Sequence, residues 1–163
     1  LAGMMSIDMG GPFNKAAYVF ASGAFANDPK STTAAILMAA VMVGGMVPPF
    51  ATAIGTAFFK NKYTEDERRA GVTNWILGFS FITEGAIPFA TADLGRVIPS
   101  CIIGSAVSGA IVGAMRIGIP APHGGFWVSP LATNIWGYFL AVIVGSIVAA
   151  LIMSFWKKPV NEK

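Results

Sequence analysis

Four long stretches of this chain carry almost no formal charge, and their lengths constrain the fold more than any other feature. Between Lys30 and Lys60 lie 29 consecutive uncharged residues. At about 1.5 Å rise per helical residue, that is enough to cross a bilayer core of about 30 Å. Val97 to Met115, bracketed by Arg96 and Arg116, has the length of one span, with a basic residue at each edge to snorkel. Gly124 to Trp156 is uncharged over 33 residues, too many for one upright helix, and its later part, LATNIWGYFLAVIVGSIVAALIMSFW, reads as the span proper. Between Ala70 and Ala92 the only charge is Glu84. Eleven basic and eight acidic side chains cannot cover a water-soluble domain of 163 residues that is 55% hydrophobic. An ordinary soluble enzyme is therefore largely excluded, and an all-α integral membrane protein is expected.

Proline and glycine break this regularity at informative places. Pro48-Pro49 inside the first window predicts a kink or an unwound point near Gly44 to Pro49. Glu84 is followed by Gly85 and Pro88, and the stretch IPAPHGGFWVSP around His123 is too irregular to cross. The N-terminal stretch holds Asp8, Asn14 and Lys15 around Gly10-Gly11-Pro12. The expected order is a broken element at about 1–27, a span at about 34–59 and a re-entrant hairpin at about 72–92. A span at 97–116, a polar loop at 120–130, a span at 131–156 and a cytoplasmic tail at 157–163 complete it. The hairpin follows from charge. Lys60, Lys62, Arg68 and Arg69 in one loop, and Lys157, Lys158 and Lys163 in the tail, both favour the cytoplasm, so one of the three apolar segments between them does not cross. Because the chain opens on Leu1 in apolar sequence with no recognisable signal peptide, a piece of a longer membrane protein is expected.

A carboxylate in the middle of a membrane segment costs about 2.5–3.5 kcal/mol on insertion scales, which makes Glu84 a candidate functional residue. The alternative is a protonated or paired carboxyl that only ties helices together. His123 is either a ligand or an imidazole satisfying its own broken loop, and Asp8 with Lys15 is either an ion pair or part of a site. Carboxylate, imidazole and amide groups suit a sugar, whose hydroxyls both donate and accept. Glu84, His123, Asn14 and Asp8 are accordingly the candidate substrate-binding residues. Cys101, Ser105, Gly109 and Gly113 recur every four residues and predict a helix-packing stripe. Trp75, Trp127 and Trp136 are expected at the membrane interfaces. The sequence has no phosphate-cradling Gly-Lys-Ser/Thr loop, no HExxH and no GxSxG. One cysteine, Cys101, cannot form an intrachain disulfide or a thiolate cage, so no secreted disulfide framework is expected, and neither is a metal or a cofactor. Basic residues scattered singly or in pairs make no nucleic-acid surface.

Six motifs together resemble a known family. DMGGPFNKAAYVF at 8–20, GMVPP at 45–49, FFKNKYTEDERRAG at 58–71, LGFSFITEGAIPFA at 77–90, RVIPS at 96–100 and APHGG at 121–125 look like the fructose-type membrane component, enzyme IIC, of the bacterial phosphoenolpyruvate-dependent sugar phosphotransferase system. The resemblance implies an inner-membrane, multi-pass permease that binds fructose or a related hexose and presents it to a IIB domain, itself charged by IIA. It implies Glu84 as the carboxylate for the sugar hydroxyls and His123 as part of the second polar loop. It further implies no phosphoacceptor on this chain, which would be a positioning subunit of a transferase complex. Other expected partners are membrane lipid, the N-terminal half of the permease and a second copy in a homodimer. Two departures stand out: Asp93-Leu94-Gly95-Arg96 replaces the usual Asp-Pro-x-Arg, and the chain resembles only the C-terminal half of the permease. An ion- or proton-coupled transporter with Glu84 as its protonation site is the alternative reading of the residues, and a truncated structural subunit is a third.

Overall fold

The computed structural model describes residues 1–160; residues 161–163 of the expected tail lie outside it. The described residues are helical and form no strand. After a short 3-10 turn at Gly3–Ser6 come α1 (Pro12–Asn27), α2 (Thr32–Phe58), α3 (Glu65–Phe79), α4 (Ile87–Ala92), α5 (Leu94–Ala114) and α6 (Ile135–Trp156). Further 3-10 turns occupy Thr83–Ala86 and Gly125–Leu131. Among the described residues, α2, α5 and α6 are the helices long and apolar enough to cross a membrane. The axis of the fold is α2: 83% of its most apolar window is buried, against 39% in α5 and 44% in α6.

Helices α5 and α6 run antiparallel and meet where Gly104 and Gly145 face each other, each leaving no room for a Cβ on the other. The Ser108 hydroxyl donates to Ala141 O across the same interface (2.8 Å). Such close approach is how helices associate in lipid, where apolar burial gives little drive. Of the expected stripe, Cys101 and Ser105 are buried, while Gly109 packs against Ala2 rather than against a helix. Gly113 faces open space. Five tighter positions, Cys101, Gly104, Ser105, Ser108 and Val112, make the packed face instead.

Pro48 and Pro49 lie inside an uninterrupted α2, so the expected unwound point is absent. Their cost falls on the acceptors one turn back. A proline supplies no N–H, which frees the carbonyls of Gly44 and Gly45. Both are taken by hydroxyls from other elements: Ser105 donates to Gly44 O (2.8 Å) and Thr83 donates to Gly45 O (3.0 Å). Ser105 is bonded in turn to Ser6 (2.6 Å), which draws the N-terminal turn in between α2 and α5. An unpaired carbonyl in hydrocarbon costs several kcal/mol, and these hydroxyls remove that penalty while fastening three elements to the middle of α2.

The segment between α2 and α5 enters and leaves at the same end of the bundle. Helix α3 starts at Glu65, earlier than hydropathy suggests, because Thr64 and Glu67 form a capping box there. It then runs back along α2: Gly71 lies against Thr56, the Asn74 amide donates to Thr52 Oγ1 (2.7 Å), and Gly78 lies against Phe50. The tip, Phe81 to Thr83, rests on Gly45, thirteen residues from each end of α2. Pro88 sits in the first turn of α4, where a missing N–H costs nothing, so it starts the return rather than breaking it. Residues 116–134 approach from the opposite end, where Ile119 N donates to Ala35 O (3.0 Å) and Thr133 N to Gly118 O (3.0 Å). Two partial hairpins thus point at each other across the fold.

At the end shared by α3, α4 and the close of α6, Tyr63 is fully buried, with its hydroxyl 3.1 Å from Ser154 Oγ. Burial, with the Glu67 carboxylate nearby, pushes its phenol from 10.0 up to about 12, against the smaller opposite effect of Ser154. The neutral form therefore stabilises the fold fully below the unfolded value. Between pH 10 and about 12 the unfolded chain ionises first, and about 2–3 kcal/mol is lost across that window. Unfolding of the solubilised protein at pH 9 and 11.5 should show this fall, and Tyr63→Phe should shrink it. An equal fall in the variant would assign the loss to other groups.

Candidate functional site

Three broken elements meet at the midpoint of α2. The first is the N-terminal loop. The Asp8 carboxylate accepts from Phe13 N (2.7 Å) and Asn14 N (2.9 Å), capping the two N–H groups in the first turn of α1 that have no carbonyl within the helix to bond. The Asn14 amide donates to Met5 O (2.8 Å), fixing the N-terminal turn to that helix. Asp8 and Lys15 make no ion pair among the described residues; helix capping decides the position of Asp8.

The second element carries Glu84. Its neighbours are anchored on both sides: Thr83 donates to Gly45 O, and the buried Asn74 donates to Gly85 O (2.9 Å). The carboxylate itself has no hydrogen-bond or ion-pair partner among the described residues and is exposed on this chain. It lies against Gly10, where a Cβ would stand 2.6 Å from Glu84 Oε1, and Gly10 has φ +112°. Only glycine meets both conditions without strain. The backbone on both sides of Glu84 is held while its carboxylate stays exposed.

The third element is the loop of His123. Gly125, at φ +57°, brings this loop onto the hairpin tip, its Cβ position 2.8 Å from Phe79 O and 2.9 Å from Phe81 Cβ. Tyr138 donates to Gly125 O (3.3 Å) and Tyr18 to Pro122 O (2.9 Å). The exposed His123 ring lies 5.2 Å from Phe81 and 6.4 Å from Tyr18, centroid to centroid. Phe81 has φ +59°, uncommon for a bulky residue and a mark of backbone held by its surroundings. Glu84 thus rests on Gly10, in the loop that Asp8 caps, while His123 packs against Phe81 of the same hairpin tip and Asn14 bonds to the N-terminal turn. Tyr18, Asn74, Phe81 and Thr83 escape a reading of the sequence, since neutral residues in apolar stretches give no signal until their partners are known.

Trp75, Trp127 and Trp136 are partly or largely exposed and lie apart from the tip, in ring contact with Phe50, Phe126 and Phe139 respectively. Trp75 and Trp136 border a cleft of about 700 Å³ whose wall is almost wholly apolar. Ser146, buried and without a hydrogen-bond partner among the described residues, is its one hydroxyl. The polar side chains named above lie on the elements that meet at the hairpin tip rather than in this cleft. Among the described residues no cluster of His, Cys, Asp and Glu could hold a metal ion.

Three helices long and apolar enough to cross a membrane, with two opposed partial hairpins that meet near the middle of α2, place the chain in the class of α-helical integral membrane proteins with broken elements. Sequence comparison narrows this. The chain is 47% identical to the fructose permease IIC component of Bacillus amyloliquefaciens, covering 100% of this chain and 52% of that protein. It is 45% identical to the PTS system fructose-specific EIIABC component of Bacillus subtilis strain 168, covering 100% of this chain and 25% of that protein. A PTS system fructose-specific EIIC component of Haloferax volcanii is also 45% identical, with 100% and 42% covered. Relatives 40–49% identical over essentially the whole chain are named as fructose-specific phosphotransferase-system components, and this chain matches the EIIC part of the multidomain ones. It spans about half the length, or less, of the curated relatives it matches. No family model matches the chain, and no solved structure matches it.

Proposed function

We propose that this chain is the sugar-binding part of a phosphotransferase-system permease for fructose or a related hexose. The observation that carries the reading is Glu84: an unpaired carboxylate on an anchored hairpin tip, in a chain homologous to proteins named as fructose permeases. An ionised carboxylate accepts hydrogen bonds from two sugar hydroxyls, and His123 offers an imidazole from the opposite hairpin. Asn14 and Asp8 support the rim by holding the loop of Gly10, against which Glu84 rests. The chain places the sugar and a IIB domain, recharged by IIA, phosphorylates it. Relatives that carry EIIB and EIIC in one polypeptide support that partnership. The rest of the permease, a second copy and lipid complete the assembly in a bacterial inner membrane, with α2, α5 and α6 crossing. An ion-coupled carrier draws no support from the relatives named above.

Fructose uptake into vesicles tests the reading. It should require phosphoenolpyruvate and the soluble phosphocarriers and persist when an ionophore collapses the ion gradients. Uptake driven by a gradient without phosphoenolpyruvate would overturn it.

Topology has its own test. The close of α6 is bonded to the 60–67 loop, with Val160 N donating to Asn61 O (3.0 Å), so both ends should face the cytoplasm. Single cysteines at the exposed Asp66 and Lys158, in a Cys101→Ser background, should both resist an impermeant thiol reagent in intact cells and react in inverted vesicles. Labelling of one alone would defeat the assignment.

A further inference from the structure

We propose that Thr83 is a positioning residue for Glu84, anchored by the backbone acceptor that Pro49 frees on α2. This rests on the reading of Glu84 as sugar ligand. In an ordinary helix the carbonyl of Gly45 would accept from the N–H of residue 49, and proline has none. The carbonyl is taken instead by the Thr83 hydroxyl at 3.0 Å, and Thr83 is 3% exposed. Gly45 makes the approach possible: a side chain there would collide with the Phe81 ring and with Thr83 Oγ1. The adjacent pair Gly44 and Pro48 repeats the device toward Ser105, so the double proline exports two acceptors at the level of the site.

The consequence for Glu84 is geometric. It is the next residue in the chain, and among the described residues its side chain makes no hydrogen bond or ion pair, so its carboxylate is placed by the backbone on either side and by the contact with Gly10. Asn74 fixes the far side through Gly85 O, and Thr83 fixes the near side to α2. Valine at position 83 keeps the branched shape but loses the donor, and serine keeps the donor but loses the methyl. The hydrogen bond, rather than packing, is what the proposal assigns.

Two readouts on the full permease decide it. Amide hydrogen exchange over residues 80–86, measured without sugar, should rise in Thr83→Val and stay near wild type in Thr83→Ser. Equilibrium binding of labelled fructose should weaken about three- to tenfold in Thr83→Val, the scale of one hydrogen bond, and recover in Thr83→Ser. Because Thr83 acts through Glu84, Thr83→Val should weaken binding less once Glu84→Gln is present than it does alone. Unchanged exchange in Thr83→Val overturns the anchor. Raised exchange with unchanged binding, or full additivity with Glu84→Gln, overturns the positioning role. Failure of Glu84→Gln alone to weaken binding is a separate result that removes the underlying site reading.

Discussion

Glu84→Gln in the complete permease is expected to lower fructose affinity by about one to two orders of magnitude while the protein still inserts and assembles. The backbone argument separates these outcomes. Thr83 and Asn74 hold residues 83 and 85 through bonds that do not involve the Glu84 side chain, and that side chain makes no bond of its own among the described residues. Glutamine therefore leaves the tip intact. What changes is the acceptor: a hydrogen bond to a charged group contributes roughly 1.5–3 kcal/mol, against about 1 kcal/mol for a neutral one. Two sugar hydroxyls on one carboxylate give a loss of about 1–4 kcal/mol, a range centred on the ten- to hundredfold expected. Equilibrium binding of labelled fructose to purified permease is the measurement. Unchanged affinity with lost uptake would move Glu84 to gating, and unchanged affinity with unchanged uptake would remove it from the site.

Hydropathy made the spans legible, because the need to satisfy every backbone group in lipid leaves long uncharged helices as the available solution. The positions of charge and of glycine at Glu84, Gly10-Gly11 and His123 likewise pointed to the three broken elements that meet at the hairpin tip. The response of α2 to its prolines was not legible. Sequence shows the donors that Pro48 and Pro49 lack, but which hydroxyls supply the remedy depends on tertiary contacts, and Ser105 and Thr83 lie far away in the chain. For the same reason nothing in the sequence marks Asp8 as a helix cap. Its partners are backbone N–H groups, which every sequence possesses. The packing stripe on α5 was offset because a four-residue repeat drifts around a helix of 3.6 residues per turn, leaving Gly113 away from the contact that Gly104 makes.

Lys157→Met is expected to destabilise the solubilised protein by about 3–5 kcal/mol, a large effect for a residue outside the spans. Lysines are seldom buried unless paired, yet the Lys157 and Glu67 side chains are only 8% and 11% exposed, with Nζ 2.7 Å from Oε1. The ammonium also sits 4.5 Å from the centre of the Tyr63 ring, and the Lys157 carbonyl accepts from Lys62 Nζ (2.7 Å). Glu67 has a second task, since its other oxygen accepts from Thr64 N (2.9 Å) in the capping box that starts α3. Removing the cation leaves a carboxylate in a poorly hydrated position that it cannot vacate without uncapping that helix. Adding Glu67→Gln should recover much of the loss, because glutamine keeps the capping geometry and carries no charge to desolvate. Thermal unfolding of the wild type, both single variants and the double variant gives the comparison. A double variant no more stable than Lys157→Met would show that packing of the lysine stem, rather than the ion pair, fixes this joint. The joint bears on the candidate site because α3 begins at it, and the hairpin that α3 opens carries Glu84.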